Sequence, residues 1–144
     1  MFHDAIAAVS NAAKGKYSLL KTNPGGYFLA SMLAGVFIGF GVLLAFTIGG
    51  LTSESAFSRI LMGCSFGVAL SLVVMAGGEL FTGNNLVMSM GVAKKTVSLS
   101  QCLKVWGVSY VGNLVGSILL ALLFVGCGLA TGAVGDFISS SAAT

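Results

Sequence analysis

Within ten residues the chain gathers most of the groups that could do chemistry. Ala76-Gly77-Gly78-Glu79 and Thr82-Gly83-Asn84-Asn85 flank Leu80-Phe81. Glu79 is the one acid deep inside an apolar stretch. A charge at that depth is expensive, so it stands either for an ion ligand, a proton relay or a counter-ion, or for a carboxylate that holds an irregular loop in shape through backbone N–H groups. The second reading is favoured, because glycines and amides surround it and no intramembrane cation is at hand in the sequence. Thr82, Asn84 and Asn85 sit where a new helix would begin. A helix N-terminus carries free N–H groups and partial positive charge, which suits an anion, and the same residues also serve as ordinary caps. Phe66 and Leu70 share a face of the preceding helix. Beside a pore, apolar rings such as these and Leu80-Phe81 form dry constrictions; in a bundle they are plain core.

The elements that must carry these groups lie in a membrane. Of the 144 residues 56% are hydrophobic and 8% charged, with a mean hydropathy of +1.01, whereas a soluble domain has roughly a quarter charged residues. This is an all-α integral membrane protein. With no basic run longer than Lys94-Lys95, a nucleic-acid partner is excluded. No nucleophile, base and metal come together for an enzyme. Cys64, Cys102 and Cys127 are scattered through apolar sequence and read as small core or lipid-facing residues. His3 stands alone, so no metal or cofactor is expected. The first 20 residues do not resemble a cleavable leader.

Charges mark out the spans. Residues 22–53 and 105–135 are 32 and 31 residues without a charge, each room for one helix of about 20 residues across a core roughly 30 Å thick. Between Arg59 and Lys94 lie 34 residues interrupted by Glu79 alone. That is too long for one helix, at about 50 Å, and too short for two crossings. One crossing by a broken helix remains, its irregular backbone facing protein or a watery cavity. The spans are therefore placed at about 26–50, 57–92 with a break at 77–85, and 103–129. Within the second, helix resumes at 86–92.

Residues 1–22 form a short amphipathic helix, with Phe2, Ile6, Val9 and Ala13 at helical spacing, lying at the cytoplasmic surface. Residues 136–144 are a small, polar tail, unstructured from Ser139, or the start of a link. Six lysines on one side against Arg59 on the other put the N-terminus inside and the C-terminus outside. Small residues recur every four positions: Ser31, Gly35 and Gly39; Gly63, Gly67 and Ser71; Gly112 and Gly116. They predict close packing of helices within one bundle, and Asn113 is expected to hydrogen-bond a neighbouring helix. Trp106 and Tyr110 share the Asn113 face and anchor the interface.

The order and spacing of these motifs resemble the formate/nitrite transporter family. Ala76-Gly77-Gly78-Glu79-Leu80-Phe81-Thr82-Gly83 is similar to its signature. Gly112-Asn113-Leu114-Val115-Gly116-Ser117 resembles its third-helix motif, and Asn23-Pro24 with Ala34-Gly35, Gly39 and Gly41 resembles its first helix. The phrase around Glu79 is most similar to the nitrite channel branch. The resemblance implies an aquaporin-like fold of six helices in two inverted three-helix repeats, of which this chain holds the N-terminal one, within a homopentamer whose protomers each have a pore. It implies passage of small monovalent anions (nitrite, formate or hydrosulfide) by facilitated diffusion across a bacterial inner membrane. By motif match, Leu80, Phe81 and Thr82 form the cytoplasmic constriction, and Phe66 and Leu70 line the outer one. It further implies that the family's pore histidine belongs to the second half. A longer chain, a second polypeptide or a second copy would have to supply that half, the last being disfavoured by the charge bias. The rival from another class is a small, non-transporting membrane interaction subunit, which the glycine stripes alone would suit equally. A small multidrug-type exporter would want its acid in an unbroken helix.

Overall fold

The computed structural model describes residues 2–143. Six helices follow one another: α1 (Phe2–Thr22), α2 (Pro24–Leu51), α3 (Ser58–Ala76), α4 (Phe81–Ala93), α5 (Leu99–Gly126) and α6 (Gly132–Ala142). Among the described residues there is no strand. Helices α2, α3 and α5 are long and apolar enough to cross a membrane. The fold is that of an all-α integral membrane protein with three spans, the second of them interrupted.

Local chemistry sets the boundaries. Asn23 separates α1 from α2: its side-chain Oδ1 accepts the Gly26 N–H at 2.9 Å, and Pro24 takes the first helical position, where no N–H is needed. Ser98 opens α5 with a reciprocal cap. Its N–H donates to Gln101 Oε1 at 2.9 Å, and its Oγ accepts the Gln101 N–H at 3.3 Å, the capping box of a Ser-x-x-Gln sequence.

The break is shorter than the sequence led us to expect. Helix α3 ends at Ala76, Gly77 takes a positive φ of 68° that a Cβ would resist, and α4 has already begun at Phe81. The irregular backbone is thus 77–80 rather than 77–85. Thr82, Gly83, Asn84 and Asn85 are poor helix formers, but tertiary bonds to Asn84 and to the Phe81 N–H override that weak preference.

By contact the chain divides into two compact units, Met1–Gly35 with Gly77–Gly116, and Val36–Ala76 with Ser117–Thr144. In the first, Ala13, Tyr27, Met88, Val97, Cys102 and Val105 form a buried cluster, with Tyr17, Leu20 and Trp106 against it. The apolar stripe of α1 therefore packs on its own chain: Ala13 meets Gly91 of α4, where an added Cβ would come within 2.6 Å of the alanine methyl. The surface that buries the stripe of the expected amphipathic helix is thus protein. The sequence pattern is the same for lipid and for protein, since either surface buries one stripe. In this unit α2 and α5 also cross closely. A Cβ on Gly35 would strike the Asn113 carbonyl, one on Gly116 the Met32 carbonyl, and one on Gly112 would lie 2.5 Å from Ser31 Cβ.

In the second unit Gly39 sits under Leu120, and Gly41 against Ala69 of α3. Gly63 and Gly67 do not take part in this packing: a Cβ on either meets nothing within 4 Å. Helix α3 turns its Ala69 and Val73 face inward, which leaves the glycine face outward. The expected tail is also corrected. Residues 132–142 are helical, because Phe137 packs edge-on to Phe46 at 6.0 Å and lies over Gly49. Met1 and Thr144, which begin the first expected segment and end the last, lie outside the described residues.

Candidate functional site

The first unit holds the break and everything that fixes it. An interrupted helix leaves backbone groups unpaired, and in a membrane they must find partners in protein. Asn113 of α5 supplies two of these partners. Its Oδ1 accepts the Phe81 N–H at 2.9 Å. Its Nδ2 donates to the Glu79 carbonyl at 3.0 Å and to the Ser31 carbonyl at 2.8 Å. From the other side the Glu79 N–H donates to the Ala30 carbonyl at 3.1 Å. One amide thus joins α2, the break and α5. No side chain caps α4 at its N-cap Leu80, so the capping role expected of Thr82, Asn84 or Asn85 falls to Asn113 instead.

The Glu79 carboxylate has partners that the sequence did not offer. Lys16 Nζ lies 2.7 Å from Glu79 Oε2, and the Tyr27 hydroxyl donates to the same oxygen at 3.0 Å. Tyr27 in turn accepts from Asn84 Nδ2 at 2.9 Å, and Trp106 Nε1 donates to the Asn84 carbonyl at 3.2 Å. Tyr27 and Asn84 are fully buried and Glu79 nearly so. The expectation of a carboxylate held by backbone N–H groups, with no cation near, is corrected: an ion pair and a phenol hold it. Burying one charge unpaired would cost several kcal/mol, and α1 brings the counter-charge. In the sequence, Lys16 interrupts the Val9, Ala13, Leu20 stripe, a lysine placed on the buried face. That was its one legible mark; Tyr27 had none beyond being a polar-tipped residue early in a charge-free span.

The remaining candidates fall into two groups. Phe81 is half-buried, its ring edge-to-face with Tyr110 at 5.3 Å and 72°. Leu80 is also half-buried, and Thr82 is exposed. Asn85 Oδ1 is buried without a hydrogen-bond partner among the described residues. Phe66 and Leu70 belong to the second unit, on α3, and both are exposed there. Among the described residues, no group of three His, Cys, Asp or Glu could hold a metal ion.

The ion pair makes a first prediction. In Glu79→Gln the amide oxygen still accepts from Tyr27, but the charge that holds Lys16 is gone, so α1 should leave its seat more often. Trypsin cleavage at Lys14, Lys16 and Lys21 should quicken about fivefold, the effect of ~1 kcal/mol on an opening equilibrium. Cleavage at the wild-type rate would mean that apolar contacts alone hold α1.

The family model described as "Formate/nitrite transporter" matches residues 3–144. The nitrite transporter NirC of Salmonella typhimurium is 40% identical over 124 residues, covering 86% of this chain and 46% of that protein. A probable formate transporter of Methanothermobacter thermautotrophicus is 38% identical over 112 residues, covering 74% and 41%. A solved structure described as an "FNT family ion channel" superposes with a TM-score of 0.83 at 37% identity, over 88% of this chain and 50% of that one. The chain spans about half the length of the curated relatives it matches.

Proposed function

Because the chain belongs to the formate/nitrite transporter family, whose members are membrane transporters rather than enzymes, we propose that it forms part of a channel for small monovalent anions, nitrite first among them. The carrying observation is the break at 77–80: irregular backbone inside a span, tied to its own protein by Asn113 and the Ala30 carbonyl, which a merely structural subunit has no need of. Helix α4 begins there, and its N-terminal N–H groups and exposed Thr82 offer an anion a favourable field. Half-buried Leu80 and Phe81 form the dry constriction beside it. Transport is facilitated diffusion.

In this reading residues 1–22 are a cytoplasmic helix, 23–135 a three-span repeat, and 136–144 the approach to a second repeat. That repeat, in the same or another chain, completes a six-helix protomer with its own pore within a homopentamer, in a bacterial inner membrane with the N-terminus inside. The open glycine face of α3, at Gly63 and Gly67, suits a further helix. Phe66 and Leu70 stand on the same helix and line the outer constriction. Formate is the second substrate reading, supported by the similarity to a probable formate transporter.

Stopped-flow anion uptake into vesicles carrying the protein as extracted from its membrane tests the function. Nitrite influx should exceed that of empty vesicles about tenfold, the equivalent of ~1.4 kcal/mol in the barrier. Faster formate uptake would transfer the assignment to formate, and no uptake of either would overturn it. Native mass spectrometry of the same particle shows whether five protomers assemble and whether a second polypeptide accompanies this one.

A further inference from the structure

The second unit holds an open cleft of about 590 Å³ between the turn before α3, the start of α3 and α6, lined by Ser53, Ser55, Ser58, Arg59, Met62 and Phe137. The cleft is many times the volume of a triatomic anion. Arg59 is the one cationic residue in 36–76 and 117–144, where Glu54 and Asp136 are the acids. Neither acid lines the cleft, and among the described residues no ion pair joins either to Arg59. The serines around it are placed to help. Ser58 Oγ is taken up by Thr52 Oγ1 at 3.0 Å. Ser55 Oγ accepts the Phe57 N–H at 3.3 Å, which leaves its own O–H as a donor, and Ser53 is exposed. A guanidinium is a planar, weakly hydrated fork that matches an oxyanion at two oxygens, while hydroxyls complete the contact.

We propose that Arg59, with Ser53 and Ser55, is a capture site for a free small oxyanion beside the turn that joins α2 to α3, on the outer side in the orientation proposed above. It holds the anion weakly and exchanges it fast, raising the local supply. The naming of the anion rests on the proposed function; the cleft and its unpaired guanidinium do not.

The test reads anion enrichment without reading transport. Cys64, Cys102 and Cys127 are replaced by alanine, and a fluorophore is attached through Ala56→Cys at the rim of the cleft. Collisional quenching by nitrite and by iodide is then measured in maltoside micelles and in phosphatidylglycerol nanodiscs at low salt. Arg59→Gln should lower the quenching constant by nitrite about three- to fivefold, the range expected of one exposed charge. Arg59→Lys should recover part of this for both quenchers and fall short more for nitrite, which a guanidinium grips at two oxygens. Equal quenching in all three proteins would overturn the proposal. So would Arg59 dependence that is present in micelles and lost in the nanodiscs, since a lipid phosphate would then occupy the site. Vesicles that fail to take up nitrite while quenching still depends on Arg59 would overturn the channel reading and leave this one standing.

Discussion

Replacing Asn113 with leucine is expected to lower the thermal midpoint of the extracted protein by roughly 10 °C. The side chain accepts from the Phe81 N–H and donates to the Glu79 and Ser31 carbonyls. Ser31 lies in α2, where its carbonyl also has a helical N–H. The Phe81 N–H and the Glu79 carbonyl have no such second partner in a regular helix. Leucine is of similar bulk and leaves both orphaned in a part-buried site. Each orphan costs about 1–3 kcal/mol, so the loss is about 2–6 kcal/mol, and at this chain length each kcal/mol moves the midpoint by roughly 3 °C. Its neighbour Leu114, about half exposed, makes the control: Leu114→Ala should shift the midpoint by only a degree or two. Equal shifts for the two variants would mean that the break keeps its shape without the amide.

The prominence of Asn113 shows how far the sequence could be read. Three stretches poor in charge became α2, α3 and α5, because a bilayer leaves a helix as the only way to satisfy so much backbone. The break was placed correctly around Glu79, since glycines next to an intramembrane acid have few other uses. Its far edge was misjudged by five residues. Threonine, glycine and two asparagines in succession look unlike a helix, and nothing local reveals that Tyr27 and Trp106 bond Asn84 from other helices. The Lys16–Glu79 pair spans 63 residues of sequence and was invisible for the same reason. The glycine stripes show the limit from the other direction. Gly35, Gly112 and Gly116 meet a neighbouring helix, and Gly63 and Gly67, at the same spacing, meet none. Periodicity tells which residues share a face, but it does not tell which face a helix turns toward its neighbours.

Phe81 is where this geometry bears most directly on the proposed flux. Backbone and ring are each held: the backbone N–H is bonded to Asn113, and the ring lies edge-to-face with Tyr110, centroids 5.3 Å apart. A constriction selects by size and dryness only while its ring stays in place; the Asn113 bond fixes the backbone, and the edge-to-face contact with Tyr110, worth about 1 kcal/mol, disfavours swinging aside. Phe81→Ala removes the ring and leaves the Asn113 bond intact, so the fold should survive and the opening should widen. Nitrite influx should rise about tenfold, equivalent to ~1.4 kcal/mol off the barrier, and larger anions such as lactate, together with water, should begin to pass. Tyr110→Ala should act in the same direction and less strongly, because the ring remains and loses only its lateral support. Size-exclusion profiles matching the wild type would show that the particles are intact. Unchanged flux and selectivity in Phe81→Ala would remove this residue from the constriction. A rise in Tyr110→Ala alone would move the barrier to the neighbouring face of α5.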